Sequence, residues 1–178
     1  MASTSDYPDM QGPVCPMPIR EFDTIVMGHG SGGLMTRELI TRVSQPHFSN
    51  PALLAQNDFA VIPTNPNKRL VISTDAHIVS PLFFPGGDIG RLAVSGTVND
   101  IAVSGGTPVC LTASFIIEEG FSIQELERIV KSMADTALEA GVPIIAGDTK
   151  VVERGKADGV FISTTGVAEV DFGIDIGG

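Results

Sequence analysis

Positive charge is what this chain has least of. Eleven Lys and Arg stand against 21 Asp and Glu, a formal net charge of −10 over 178 residues, and nowhere do the basic residues cluster. A nucleic-acid surface is built from such clusters, so that class of partner is disfavoured, and an anionic ligand has to be held by backbone amides and metal. Cysteine is almost as scarce: Cys15 and Cys110 stand in unlike settings without metal-ligand spacing, which points to two free thiols in a reducing compartment. Long apolar runs are missing too. The longest uncharged stretch, 101–117, contains Gly105, Gly106 and Pro108, which disqualifies it as a membrane span. The first positive side chain is Arg20, after a Ser-, Asp- and Pro-bearing start, so no signal peptide is expected and the expected compartment is the cytoplasm.

What remains is globular in composition, 43% hydrophobic and 18% charged, with enough chain for one domain and a real core. Residues 1–23 carry four of the twelve prolines, at Pro8, Pro13, Pro16 and Pro18, and predict an extended arm. A short strand is expected at 24–27, a glycine-rich loop over Gly28–Gly33, and a helix over 34–43. Strands are expected at 58–62 and 69–74, joined by the turn-rich run 63–67. A helix over roughly 88–104, a strand over 108–117, and a helix opened by the capping box Ser122/Glu125 follow. Gly141 and Pro143 stop that helix, and strands near 142–146 and 159–168 complete the order. This alternation predicts an α/β domain, with a mixed sheet packed on helices, over residues 24–170. There is no internal repeat. The composition of 171–178 reads as the start of a linker, with the polypeptide expected to continue into a further domain.

Three places carry chemistry. A strand-like run ends in Asp75, and the following helix carries Asn99 and Asp100, with Gly96 one turn earlier on the same face. Magnesium prefers a few hard oxygen ligands completed by water and substrate phosphates, and glycines let phosphates reach backbone N–H groups. Asp75 and Asp100 are therefore candidate metal ligands, and Asp58 is positioned to join them. The segment Gly28-His29-Gly30-Ser31-Gly32-Gly33 is not a Walker motif and not a dinucleotide fingerprint; it is either a mobile glycine loop or a phosphate cover. Asp148-Thr149-Lys150, expected at a strand end, brings an acid, a hydroxyl and an amine together for metal and phosphate. Glu118 and Glu119 point apart on a strand and read as solvated charge. His29 and Cys110 read as packing residues. Cys15 has no base or cation nearby to activate it.

His29-Gly-Ser-Gly-Gly33, Ser73-Thr-Asp75, Pro81-Leu-Phe-Phe-Pro-Gly-Gly87, Asn99-Asp-Ile-Ala-Val-Ser-Gly105 and Gly147-Asp-Thr-Lys-Val-Val152 together resemble the HypE family of NiFe-hydrogenase maturation factors. More broadly they resemble the ATP-binding N-terminal domain, PurM-like, that is shared with aminoimidazole ribonucleotide (AIR) synthetase, selenophosphate synthetase and thiamine-monophosphate kinase. The resemblance spans about residues 24–170. It implies a homodimer whose paired sheets form a barrel with ATP at the subunit junction. It implies Mg2+ on Asp58, Asp75 and Asp100, and nucleotide contacts from Gly30, Ser31, Gly32, Gly33, Asn99, Asp148, Thr149 and Lys150. It also implies a carbamoyl dehydratase that uses ATP to turn a C-terminal S-carboxamide cysteine into a thiocyanate, the source of the cyanide ligand of iron. HypF and the HypC–HypD complex are the implied partners.

Neither Cys15 nor Cys110 stands in the Pro-Arg-Ile-Cys-like tail that carries the reaction in that family. The expectation is thus a nucleotide-binding half that is inactive alone. A dimerisation or docking module that binds no nucleotide by itself is the competing reading. Selenophosphate synthetase is disfavoured because no Cys or Lys accompanies the glycine loop, and Pro81–Gly87 argues against thiamine-monophosphate kinase.

Overall fold

Apolar residues recur in this chain with two periods, near two and near 3.6, and the elements follow them. The computed structural model describes residues 22–55, 57, 59–174 and 176. The expected arm over 1–23, with Cys15, falls almost wholly outside the described residues, as does Asp58. Helices α1 (Leu34–Leu39) and α2 (Pro51–Leu54) come first, and α1 runs on into a π-helical turn over Ile40–Ser44. Strand β1 (Lys68–His77) is followed by a small hairpin of β2 (Phe83–Phe84) and β3 (Gly87–Asp88). Then come α3 (Ile89–Val103), β4 (Thr107–Glu118), α4 (Ile123–Glu139), β5 (Ile144–Val152) and β6 (Val160–Asp171).

The two long helices begin and end where local chemistry dictates. The Asp88 carboxylate accepts from the Gly90 and Arg91 amides at 2.7 and 3.0 Å, satisfying donors the first turn of α3 cannot pair internally. Ser122 does the same for α4 through the Glu125 amide at 3.3 Å. At the other end of α4, Gly141 takes φ +68° and its N–H bonds the Leu138 carbonyl, while the Val142 N–H bonds the Ala137 carbonyl. That pair of bonds is a Schellman stop, which needs the left-handed backbone that glycine adopts without strain.

The sheet order is β1-β6-β4-β5. Both β1 and β4 run antiparallel to β6, and β4 pairs in parallel with β5. β1–α3–β4 and β4–α4–β5 are thus two successive crossovers between parallel strands, and β6 inserts between β1 and β4 in the opposite sense. The mixed sheet expected from the alternation is present. Helices α3 and α4 cover one face, and Ile89, Ile101, Leu111, Ile117, Ile129, Met133 and Ile162 are fully buried between the layers. Each such side chain contributes roughly 1.5–3 kcal/mol of burial. Among the described residues no helix is long and apolar enough to cross a membrane.

Four expectations need correction. Residues 59–62 form no strand: Phe59 and Val61 alternate correctly but stay exposed, because no neighbouring strand offers them a ladder. The strand expected at 24–27 shrinks to a single bridge between Thr24 and Ser122, after which Met27–Gly30 coils into a 3-10 turn. β1 continues two residues past Asp75. β5, expected to stop near 146, extends to Val152, so Asp148-Thr149-Lys150 lie within it.

Where α3 crosses α4, Gly90 sits against the Ile129 carbonyl, and a Cβ there would also lie 3.0 Å from Met133 Cγ. Gly90→Ala should therefore cost roughly 1–3 kcal/mol by overpacking, despite alanine's better helix propensity, in a urea unfolding series.

Candidate functional site

One cluster of functional side chains lies where α3 meets β1. The strand places Ser73, Asp75 and His77 on its helix-facing side, two residues apart, and α3 presents Gly96 and Asp100 one turn apart. Ser73 Oγ lies 3.1 Å from Asp100 Oδ2. A Cβ at position 96 would stand 3.1 Å from Asp75 Oδ2 and 2.9 Å from His77 Cε1. Gly96 thus keeps the backbone of α3 open beside the Asp75 carboxylate. Asp75 is 41% exposed and accepts the Ala76 amide, and Asn99 and Asp100 are exposed on α3.

Beneath Asp75 lies a buried polar chain that the sequence did not disclose. The Thr164 hydroxyl donates to the Ala93 carbonyl at 3.1 Å, so its contact with Thr97 Oγ at 2.6 Å must be donated by Thr97. The remaining lone pair faces His77 Nε2 at 3.3 Å, and that nitrogen also lies 3.6 Å from Asp75 Oδ2. The geometry assigns the proton of a neutral His77 to Nε2. Burial holds the imidazole below its ordinary pKa, against the pull of Asp75 and Asp100. The only signal for this chain in the sequence was a strand whose polar residues fall on its buried parity.

The donor set here is all oxygen: two carboxylates and a hydroxyl, partly open to solvent. That suits magnesium, which is content with one or two carboxylates and completes its shell with water and phosphate oxygens. Among the described residues no three His, Cys, Asp or Glu side chains form a fuller metal cage.

A second cluster stands at the other edge of the sheet. The Met27–Gly30 turn packs on β5, and a Cβ at Gly30 would collide with the Val151 amide and lie 2.9 Å from Val151 Cβ. Ser31 Oγ donates to the Gly28 carbonyl at 2.8 Å, and the Gly32 amide donates to Thr36 Oγ1 at 2.9 Å. Gly32, at φ +79°, and Gly33 have no backbone crowding them. On β5, Asp148 and Lys150 are mostly exposed and pair at 3.5 Å. Thr149 points the other way, into the helix layer beside Leu39, Val43 and Phe115. The three residues therefore do not act as one group.

Register shows how the clusters are divided. Asp75 pairs with Thr164, Thr164 with Ala113, and Ala113 with Gly147, so these four share the helix face. Asp148 is one residue on, opposite Ser114, and faces the uncovered side. Three strand spacings, about 14 Å, also separate β1 from β5. Within one chain the acidic pair and the Asp148/Lys150 pair meet neither across the sheet nor through it.

Glu118 is more than solvated charge. Its carboxylate accepts from the Gly155 and Gly159 amides and gathers the β5–β6 loop, and those bonds hold its pKa below the usual glutamate value. Cys110 is buried, as expected, and burial pushes its thiol pKa up. A depressed carboxylate adds stability above its unfolded pKa and loses it as pH falls through the folded one. Glu118→Gln should therefore lower urea stability at pH 7 and become nearly silent once the pH has fallen below the folded carboxyl's own pKa, which lies under the usual glutamate value.

Comparison with known proteins gives this geometry a context. Residues 56–170 match the family model described as AIR synthase related protein, N-terminal domain. A carbamoyl dehydratase HypE from Cupriavidus necator is 57% identical over 154 residues, covering 86% of this chain and 44% of its own length. A hydrogenase maturation protein HypE crystallised in complex with ATP superposes with a TM-score of 0.79 at 49% identity, over 82% of this chain and 43% of that one. A chain from a HypE–HypF complex superposes at 0.59 with 48% identity, over 80% and 44%. The chain spans less than half the length of these relatives.

Proposed function

Because the chain belongs to the AIR synthase related protein family, matching its N-terminal domain over residues 56–170, we propose that it is the ATP-binding half of a HypE-type carbamoyl dehydratase. The likeness to an ATP-bound HypE structure carries this reading, and the oxygen-donor pair beside an opened helix backbone supports it. In the reaction implied by the resemblance, the oxygen of an S-carboxamide attacks the γ-phosphorus of ATP and ADP leaves. One proton leaves nitrogen as the O-phosphoryl imidate forms, and loss of phosphate with the second nitrogen proton then yields the nitrile of a thiocyanate. Phosphorylation turns a poor oxygen leaving group into a good one, so the protein's work is positioning and charge neutralisation.

In this reading Asp75 and Asp100, with Asp58, hold magnesium. That ion, when bound, supplies positive charge against the β- and γ-phosphate oxygens. Asn99 stands beside the phosphates, and Gly30, Ser31, Gly32 and Gly33 cover the nucleotide. Lys150 neutralises charge, Asp148 orients its amine, and Thr149 supports β5 from the helix layer. Cys110 is no carrier for the carbamoyl group, being buried with its thiol held protonated.

The two clusters stand at opposite edges of the sheet, so one nucleotide touching both needs a second copy of the chain. The uncovered face presents Leu70, Ile72 and Ile116 to solvent, an apolar surface suited to pairing with its own copy. A homodimeric barrel with ATP at the subunit junction satisfies both demands. HypF and the HypC–HypD complex are the partners that follow, in the cytoplasm. The alternative of a docking module without nucleotide predicts no ATP binding in any assembly, and thiamine-monophosphate kinase is disfavoured by the identity to HypE relatives.

Calorimetric titration of magnesium-ATP should give saturable heat that Asp100→Ala weakens about tenfold or more, about 1.4 kcal/mol or more. Alanine is the better helix former at that exposed position, so the melting temperature should not fall. Absence of heat from a dimeric wild type would sink the nucleotide reading. Sedimentation should find a dimer that Ile72→Lys converts to a monomer; a wild-type monomer, or an unaffected dimer, would reject the barrel.

A further inference from the structure

His29 is fully buried, yet only one of its ring nitrogens is used. Nδ1 accepts the Val26 N–H at 3.0 Å, closing the 3-10 turn at the head of the glycine segment. An imidazole that accepts at Nδ1 carries its proton on Nε2 when neutral, and burial holds this ring below its ordinary pKa. That Nε2 is buried and has no hydrogen-bond partner among the described residues. Such a donor gives up its hydration without compensation unless something accepts from it. Phe22 meets the ring edge-on at 6.0 Å with a side chain that carries no lone pair, and Glu38, whose charge the imidazole senses, has an interaction of its own.

The place of this orphan donor is informative. Gly28 and Gly30 flank it, the first pressed on Met35 Sδ and the second on β5 at Val151, one residue from Lys150. Immediately after it come Ser31, Gly32 and Gly33, and a Cβ at either glycine would meet no close contact. The Val26 bond lies outside that stretch.

We propose that the Nε2–H of His29 is a nucleotide-binding donor: its acceptor is an anionic phosphoryl oxygen, reached when the glycine segment settles over the ligand. This rests on the nucleotide reading above and adds a residue to it. The imidazole gives a neutral donor, so it recognises the oxygen without adding net charge, and the Nδ1 bond holds its tautomer.

Two substitutions in the full-length dimeric protein separate the ring's two nitrogens. His29→Asn places an acceptor where Nδ1 was and removes the distal donor; His29→Gln places an amide near Nε2 and loses the proximal acceptor. The expected result is that His29→Asn keeps the wild-type melting temperature while its magnesium-ATP Kd rises about five- to twentyfold, the loss of one hydrogen bond to a charged group. His29→Gln should lose thermal stability but keep more of the affinity. Wild-type affinity in His29→Asn would overturn the proposal and leave the ring a packing residue. Should His29→Asn fail to fold, the 15N resonance of Nε2 in the wild type decides: a shift on adding magnesium-ATP supports the contact, and an unmoved resonance overturns it. Wild type that binds no magnesium-ATP at all would overturn this proposal together with the nucleotide reading, whereas binding that His29→Asn leaves intact overturns this one alone.

Discussion

Successive side chains on a β-strand must point to opposite faces, and the organisation of this domain depends on that constraint. Because α3 and α4 cover one side of the sheet, every strand residue is committed to the core or to the open face by its parity. Ser73, Asp75 and His77 share the parity of Thr164 and Ala113 and meet α3. Asp148 and Lys150 have the other parity and meet solvent, while Thr149 between them enters the core. A contiguous run of functional residues in the sequence is therefore divided by the backbone itself. No rotamer change brings Asp148 to Asp75.

The seating of α3 obeys a second constraint, close approach. Gly90 lies on the Ile129 carbonyl, Gly96 above Asp75 and His77, and Gly166 of β6 beneath Ile101 and Thr97. Glycines on both surfaces let helix and sheet come near enough for buried hydroxyls to bond across them. The chain from Thr97 through Thr164 to His77 is satisfied link by link, with Thr164 donating onward to Ala93. A satisfied polar chain costs little and fixes one arrangement of helix on strand, where an apolar contact would permit sliding. Asp75 stands on this fixed floor, so the register that packs the core also places the carboxylate.

Much of this was legible in the residues because it is local. The Ser122 cap, the Gly141 stop and the periodicities of α3 and α4 depend on neighbours within one or two turns. The errors came from tertiary effects. Residues 58–62 have the alternation of a strand, but a strand exists only against a partner, and none reaches 59–62. Gly147-Asp148-Thr149-Lys150 reads as a loop because glycine and aspartate disfavour strands, yet β5 is an edge whose open face accepts polar side chains and whose β4 neighbour supplies the ladder. Thr164 and His77 were passed over because polar strand residues are ordinarily assigned to solvent. What buries them is the approach of α3, which glycine at 96 and 166 permits. Glu118 was read as surface charge because the two amides it accepts belong to a loop 37 and 41 residues away.

Electrostatics then decides how such a site can hold an anion. The chain carries a net charge of −10, and the acidic pair of α3 and β1 offers a phosphate nothing but repulsion. The amine of Lys150 is already matched by Asp148 at 3.5 Å, on the far face of the same sheet. Among the described residues no Lys or Arg forms an ion pair with Asp75 or Asp100. A divalent cation reverses that sign locally, since a bound Mg2+ becomes the largest charge in its neighbourhood. In the proposed dimer, metal and phosphate would consequently arrive together or the metal first, and the second copy would bring the amine from its own β5 edge. Acidity, which at the outset left an anionic ligand to backbone amides and metal, makes that ligand's binding conditional in the proposed function. In that reading it waits on the metal, on the partner sheet, and on a glycine segment that would add neutral donors instead of charge.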